Sequence, residues 1–467
     1  MDLHRDTWPA LAKLGWPVSL TLMVRVTMRT ADILVVGITV GAAGVAALGI
    51  GDAAARIVLM TALGLGAGTI ATVSQRIGAG RHDEADVAIN QTAVLAVLVG
   101  VPFTVVGWLV APGYFSLLGA EPEVVELGVL YLRIIILSAV PRVLAIMLTR
   151  AFQGAGDTVT PLVIRSFGTG LNILLTVLLV PGLGPFPELG LRGAAYGTVA
   201  GNVASALILV TVLTIGRTRI GFRHDGWWAP DTLLRIVRIG APQVLERNLF
   251  AVGAIPLNAI VLTFGTAANA GFQVGRRVML YALLPSRGVA TASSTYMGNR
   301  VGALRADDGE RYVRGGISLA ALVSVVIALP LLVFAEPIAG IFVREPDALS
   351  FAAAWVRVYA VVTVLRAVYG VLRGGMQGAG DTRSPLVSTA AGIGLVAIGG
   401  SWLFGVALGW GILAVYVAIA IDPAVRVAML YRWFDRGRWR RFLGEAPTPV
   451  AAESGPIPVS AGKEEAE

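Results

Sequence analysis

Cysteine is absent from this sequence. Disulfides, thiolate metal sites and thiol catalysis are therefore excluded. Histidine occurs only at positions 4, 82 and 224, all in polar segments, so a histidine metal cage is not expected. Charge is scarce too, at 14% of residues, against about a quarter in an ordinary soluble chain. Hydrophobic residues make up 56% and the mean hydropathy is +0.75. That leaves too little polar surface to cover a globule, so lipid must be the solvent for much of the chain.

What is present is a series of long apolar runs. A helix needs about 20 apolar residues to cross a bilayer. Twelve stretches qualify: 14–39, 45–75, 88–111, 124–150, 159–181, 190–215, 236–264, 268–298, 313–335, 347–373, 384–406 and 409–431. The opening MDLHRDTWPALAKLGWP has no small-residue cleavage site after a short apolar core, so the first span is expected to be retained. The net charge of +8 is not read as nucleic-acid binding, because the basic residues concentrate in alternate connections. Arg76, Arg81, Arg150, Arg217, Arg219, Arg223, Arg300, Arg305 and the run Arg432 to Arg441 fall on one side. Connections 40–44 and 265–267 have no arginine, and 112–123 carries Glu121 and Glu123. The arginine bias predicts both termini on the cytoplasmic side. The tail after Leu443 mixes Pro, Ala, Glu and Ser without an apolar period and reads as disordered.

One short stretch occurs twice. FQGAGDTVTPL (152–162) returns as MQGAGDTRSPL (376–386), an offset of 377 − 153 = 224 residues. At the same offset RIGAGR (76–81) matches RVGALR (300–305), Tyr131-Leu-Arg133 matches Trp355-Val-Arg357, and Arg142 matches Arg366. Six spans per half is an even number, so both halves enter the membrane in one direction. Parallel repeats related by an axis along the membrane normal follow. The expected organisation is a first lobe at 1–215, a linker at 216–235, a second lobe at 236–432 and a basic, then disordered, tail at 433–467. The repeated loop is not a phosphate cradle: it has no lysine, no preceding strand and too short a glycine spacing. It reads as helix punctuation, with a left-handed glycine ending one helix and Asp157 or Thr158 capping the next.

QGAGDT-x-x-P after spans four and ten, the upstream Tyr131-Leu-Arg133, and the paired loops after spans two and eight together resemble the multidrug and toxic compound extrusion (MATE) family, closest to its DinF-like prokaryotic branch. The resemblance runs from about residue 10 to 435. It implies an all-α, twelve-helix, two-lobe transporter in the cell membrane, acting as a monomer. Such a transporter expels small amphipathic, often cationic, organic compounds in exchange for protons or sodium. No enzyme activity and no cofactor are expected. No nucleotide-binding motif is present, so an ion gradient is the expected energy source. A flippase for lipid-linked precursors, from the same broad superfamily, is the alternative reading.

Ionisable residues inside the spans are the candidate site. Each costs roughly 2.5–3.5 kcal/mol on insertion scales, so each needs a partner or a function. Arg25, Arg29 and Asp32 share one face of span one, with Thr21 on the same stripe. Asp32 is either salt-bridged to an arginine of that stripe or a titratable coupling site. The resemblance favours the second reading and implies a bend at Pro17. It also implies a pocket shared with Tyr131 and Asn172, with Thr198 and Asn202 as looser members. The family pattern Asn-x-x-x-Asp is here Asn172-Ile-Leu-Leu-Thr176, with a hydroxyl for the second carboxylate. One carboxylate beside two arginines is a poor sodium site, which shifts the expectation to protons. In the second half, Glu246 (four residues after Pro242), Gln273 and Asp422 are the buried candidates, Asp422 with Arg426 one turn on. Asp52 and Arg276 are equivalent positions of opposite charge. A local Asp52–Arg56 pair is the simpler expectation, and an Asp52–Arg276 contact between lobes is the other.

Overall fold

The computed structural model describes residues 3–216 and 218–445. The reading of the tail beyond 445 as disordered, and Arg217, lie outside the described residues. Among these the chain is all helix, with no strand. In the first half the helices are α1 (Leu3–Thr39), α2 (Ala42–Gly78), α3 (His82–Leu117), α4 (Pro122–Leu137), α5 (Ala139–Gly154), α6 (Val159–Leu179) and α7 (Leu191–Ile215). In the second they are α8 (Pro230–Leu262), α9 (Thr266–Ala282), α10 (Leu284–Gly302), α11 (Ala306–Val333), the short α12 (Ala335–Gly340), α13 (Pro346–Ala379), α14 (Arg383–Ala391) and α15 (Ile412–Asp435). A π-helical run, Gly392–Ala407, continues α14, and a 3₁₀ segment, Arg438–Glu445, follows α15. Nine helices among the described residues are long and apolar enough to cross a membrane, or ten if the bent pair α4–α5 is one span. The rest carry charge: α1 holds Arg25, Arg29 and Asp32, and α9–α10 hold Arg276, Arg277 and Arg287. The outer faces of α3 and α11 expose Leu98, Val101, Val105, Leu109, Val326 and Leu329. Faces of this kind suit lipid.

Two runs predicted as single spans are broken, at different places in the two halves. Run 124–150 is split at Ser138, where α4 and α5 bend by 51°. Run 268–298 is split at Leu283. The cause is proline placement. Pro141 and Pro285 each sit just past the break and withhold a helical N–H. At the 224-residue offset their counterparts are Leu365 and Thr61, and α13 and α2 run straight through. Pro17 and Pro242 lie inside α1 and α8 without interrupting either helix. The linker is shorter than expected, because α8 takes residues from Pro230 onward.

The two halves meet along α2 and α10, the same element in each repeat. At Gly78 an added Cβ would strike the backbone of Asn299, and at Gly302 that of Gln75. These are one contact seen twice, since 302 − 78 and 299 − 75 both equal 224. A second symmetric pair follows: Gly15 of α1 lies on Gly288 of α10, as Gly240 of α8 lies on Leu65 of α2, next to Gly64. Backbone approach this close requires glycine on the contact face.

The repeated loop ends one helix and starts the next, as its residues predict. Gly156 has φ +85°, and the N–H groups of Gly156 and Asp157 bond back to Gln153 and Phe152 at 3.1 and 2.9 Å. This is the Schellman closure. Asp157 then accepts from the N–H of Val159 and Thr160 at 3.1 and 3.0 Å. Gly380 (φ +101°) and Asp381 repeat the arrangement, with Ser384 as the capped residue.

Candidate functional site

Between the halves lies a cavity of about 570 Å3, walled by α1, α2, α5, α8, α10 and α13 among others. Its end nearest the α2–α10 crossing is closed by the repeated loops. Thr295 of α10 donates to the Gln153 carbonyl at 2.9 Å, and Gln75 of α2 donates to the Gly378 carbonyl at 2.8 Å. Each bond joins the start of a loop in one half to the paired crossing helix of the other. Arg235 donates to Gln75 at 2.6 Å and holds its amide in place. The loop is thus more than punctuation, because its backbone latches the halves together.

Arginine dominates the cavity wall. Arg25, Arg56, Arg150 and Arg165 come from the first half. Arg247, Arg276, Arg287, Arg366, Arg373 and Arg426 come from the second. Asp422 is the carboxylate on the same wall. It is buried and held by the Arg426 guanidinium through two bonds, the Nε one at 2.6 Å, with Arg366 at 4.0 Å. The one-turn spacing of Asp422 and Arg426 gives this i, i+4 pair.

The stripe on span one divides between two environments. Thr21 and Arg25 line the central cavity. Asp32 does not; it is 7% exposed and faces α6, where Thr176 donates to it at 3.1 Å. It makes no ion pair with Arg25 or Arg29, contrary to the structural alternative. The hydroxyl that closes the Asn172-Ile-Leu-Leu-Thr176 pattern is therefore the group that touches Asp32. Close by, buried Asn172 donates to Thr198 at 3.0 Å, and its own Oδ1 has no partner. Asn202 turns away to Ser138 at the α4–α5 break, at 3.4 Å.

Arg29 belongs to a second cluster. It pairs with Asp52 of α2 at 2.8 Å, and Tyr131 of α4 donates to the same carboxylate at 3.2 Å. Neither expected partner, Arg56 or Arg276, takes Asp52, because α1 packs beside α2 and brings a better-placed guanidinium. Arg276 instead stacks over Phe272 at 5.7 Å. Sequence reasoning put Tyr131 on Asp32; its hydroxyl goes to Asp52. The consequence is measurable. Asp52→Arg and Arg29→Asp should each lower the unfolding midpoint, and the double reversal should recover most of the loss. The coupling expected of a half-exposed pair is about 0.5–1 kcal/mol. Recovery by the Asp52→Arg/Arg276→Asp pair instead would reassign Asp52.

In the second half Glu246 is fully buried. Tyr369 and Thr389 both donate to its Oε1 at 3.0 Å, and Arg373 lies 3.6 Å away. Its Oε2 has no hydrogen-bond partner. Adjacent helical residues point apart, so Arg373 of α13, and not the neighbouring Arg247, is the cation that reaches Glu246. Tyr369, Thr389 and Arg373 were not among the expected site residues, and no local spacing marks them. Gln273 is not buried: it is exposed and donates to Asn258 at 2.7 Å.

An all-helical, twofold-repeated chain with polar residues turned to a central cavity and apolar ones outward is a multi-pass membrane transporter. The MatE family profile matches residues 17–178 and 242–403, once in each repeat. The chain belongs to that family. It is 24% identical over 388 residues to the probable multidrug resistance protein NorM of Thermotoga maritima, covering 82% of this chain and 83% of that protein. It is also 24% identical over 322 residues to a FAD transporter of Shewanella oneidensis, covering 68% and 69%. Among solved structures it superposes with a TM-score of 0.86 and 24% identity on a MOP superfamily transporter from Pyrococcus furiosus, covering 94% and 97%. For that protein, reverse polarity of the binding pocket is said to suggest a different function.

Proposed function

We propose that this protein is a secondary active antiporter that exports amphipathic organic compounds in exchange for protons. Twelve membrane crossings are arranged as two lobes, 1–215 and 230–435, with both termini cytoplasmic in the cell membrane and a single chain as the working unit. The bent pair α4–α5 and the interrupted pair α9–α10 each count as one crossing. The relatives' names, from drug-resistance proteins to a FAD transporter, support small organic compounds as the cargo. The observation that carries the proton reading is Asp32. It is a buried carboxylate bonded to the Thr176 hydroxyl, with no cation at ion-pair distance among the described residues. An ionisable group inside a span needs a partner or a function, and a carboxylate is a group that can take up and give back a proton during a transport cycle. Sodium wants more oxygen ligands with negative charge than Thr176, Asn172 and Thr198 supply. Glu246, with its free oxygen, is the second-lobe candidate for the same work.

Vesicles containing the protein test this, with ethidium and carboxyfluorescein as cargoes of opposite charge. A pH gradient should drive export of at least one dye, and a sodium gradient at constant pH should drive neither. Export by sodium alone would overturn the proton assignment. Lipid scrambling without export of either dye would favour the flippase, a reading to which the arginine-lined cavity lends support.

A further inference from the structure

The cavity wall carries far more positive than negative charge. Asp422 is already taken by Arg426 and Arg366, and Glu246 behind the wall is taken by Tyr369, Thr389 and Arg373. Among the described residues, Arg25, Arg56, Arg150, Arg165, Arg276 and Arg287 have no carboxylate at ion-pair distance. The buried Nε atoms of Arg247, Arg366 and Arg373 lack any acceptor. No lysine occurs between Lys13 and Lys463, so every side-chain cation on the cavity wall is a guanidinium. Arginine presents a planar fork of donors that matches phosphate and carboxylate oxygens in pairs, which the lysine ammonium does not. Ten guanidinium groups held between apolar helices repel one another, and a cation entering among them adds to that cost.

We propose that the cavity binds an organic anion of the phosphate-ester or diphosphate class, carrying at least two negative charges and joined to an apolar part. The proposal rests on the transport reading above and names its cargo. Two or more charges follow from the excess on the wall, since a monocarboxylate would leave most of it uncompensated. The apolar part follows from the rest of the wall, where Phe250, Phe272, Tyr359 and Met279 lie between the arginines. A volume of about 570 Å3 falls within the usual 300–1,000 Å3 of small-molecule pockets. Arg25 and Arg165 belong to one half, and Arg247 and Arg287 to the other. An anion among them draws the halves together, and its release lets their mutual repulsion part them.

Equilibrium binding to the full-length protein in lipid nanodiscs tests this without any ion gradient. The probes are 4-methylumbelliferyl phosphate for a soluble anion, farnesyl diphosphate for a membrane-borne one, and ethidium as the cation. At least one phosphorylated probe should bind more tightly than ethidium, weaken with added salt, and be displaced by inorganic pyrophosphate. The Arg25→Gln/Arg287→Gln variant should lose about tenfold or more in affinity for it. Binding of farnesyl diphosphate alone places the source in the membrane, and binding of the aryl phosphate alone places it in solution. Tighter binding of ethidium would overturn the proposal, and so would phosphate binding indifferent to pyrophosphate. Because binding is read without any ion gradient and export only with one, failure of the proton reading and failure of this one are separable.

Discussion

Asp32→Asn should reduce pH-driven export to the level of protein-free vesicles while leaving the protein folded and its cavity able to bind. The substitution keeps size and keeps an oxygen to accept from Thr176, so the bond at 3.1 Å can persist. Stability should stay within about 1 kcal/mol of the parent. What is lost is the group that gains and loses a proton. The cavity arginines are not touched, because Asp32 faces α6 and not the central space. Binding and coupling are thus carried by different parts of the chain, and the variant divides them. Thr176→Val complements it: the carboxylate stays but loses its one donor, so export should survive with its pH dependence moved. Undiminished pH-driven export by Asp32→Asn would remove Asp32 as the coupling site and move attention to Glu246.

Gly302→Leu should trap the transporter with the halves unable to close at the α2–α10 crossing, and export should stop. An added side chain there meets the Gln75 backbone, which cannot yield as a flexible side chain would. Gly78→Leu meets Asn299 in the same way and should give the same result. Overpacking at a fixed backbone contact costs typically about 1–3 kcal/mol or more. In a cycle that opens the cavity to each side in turn, as the proposed antiport requires, the cost falls on the state closed at this crossing alone, so it appears as a population shift. The absence of native cysteine makes this readable. With Ala290→Cys as the sole thiol on the cavity wall, an impermeant maleimide added outside should label the parent well and the Gly302→Leu variant poorly. Labelling from the cytoplasmic side should change in the opposite sense. Gly49→Leu, on an open part of α2 with nothing within 4 Å, is the control and should label like the parent. Equal labelling of all three would exclude the crossing as a gate.

Much of this architecture is written in local pattern. The apolar runs give the helices, and the 224-residue register gives the twofold repeat. QGAGDT gives two loops with a left-handed glycine and an aspartate cap, and Asp157 and Asp381 do what their spacing predicts. The i, i+4 pair of Asp422 and Arg426 was legible for the same reason, because a helix fixes which neighbours meet. Even the unequal breaks at Ser138 and Leu283 trace to Pro141 and Pro285, whose counterparts are not proline.

The partnerships that matter for function were not legible, and the reason is geometric. Arg29 meets Asp52 on another helix, Glu246 meets Tyr369 more than a hundred residues away, and Gln75 meets Gly378 three hundred residues on. No period within one helix encodes which face of a distant helix will lie against it. Sequence alone therefore determined that this is a membrane-embedded tandem repeat with charges inside its spans, because burial in lipid forbids charge without purpose. Only tertiary structure decided which of those charges compensate one another. It left Asp32 bonded to Thr176 without an ion pair among the described residues, and it gathered ten arginines from both halves around one cavity.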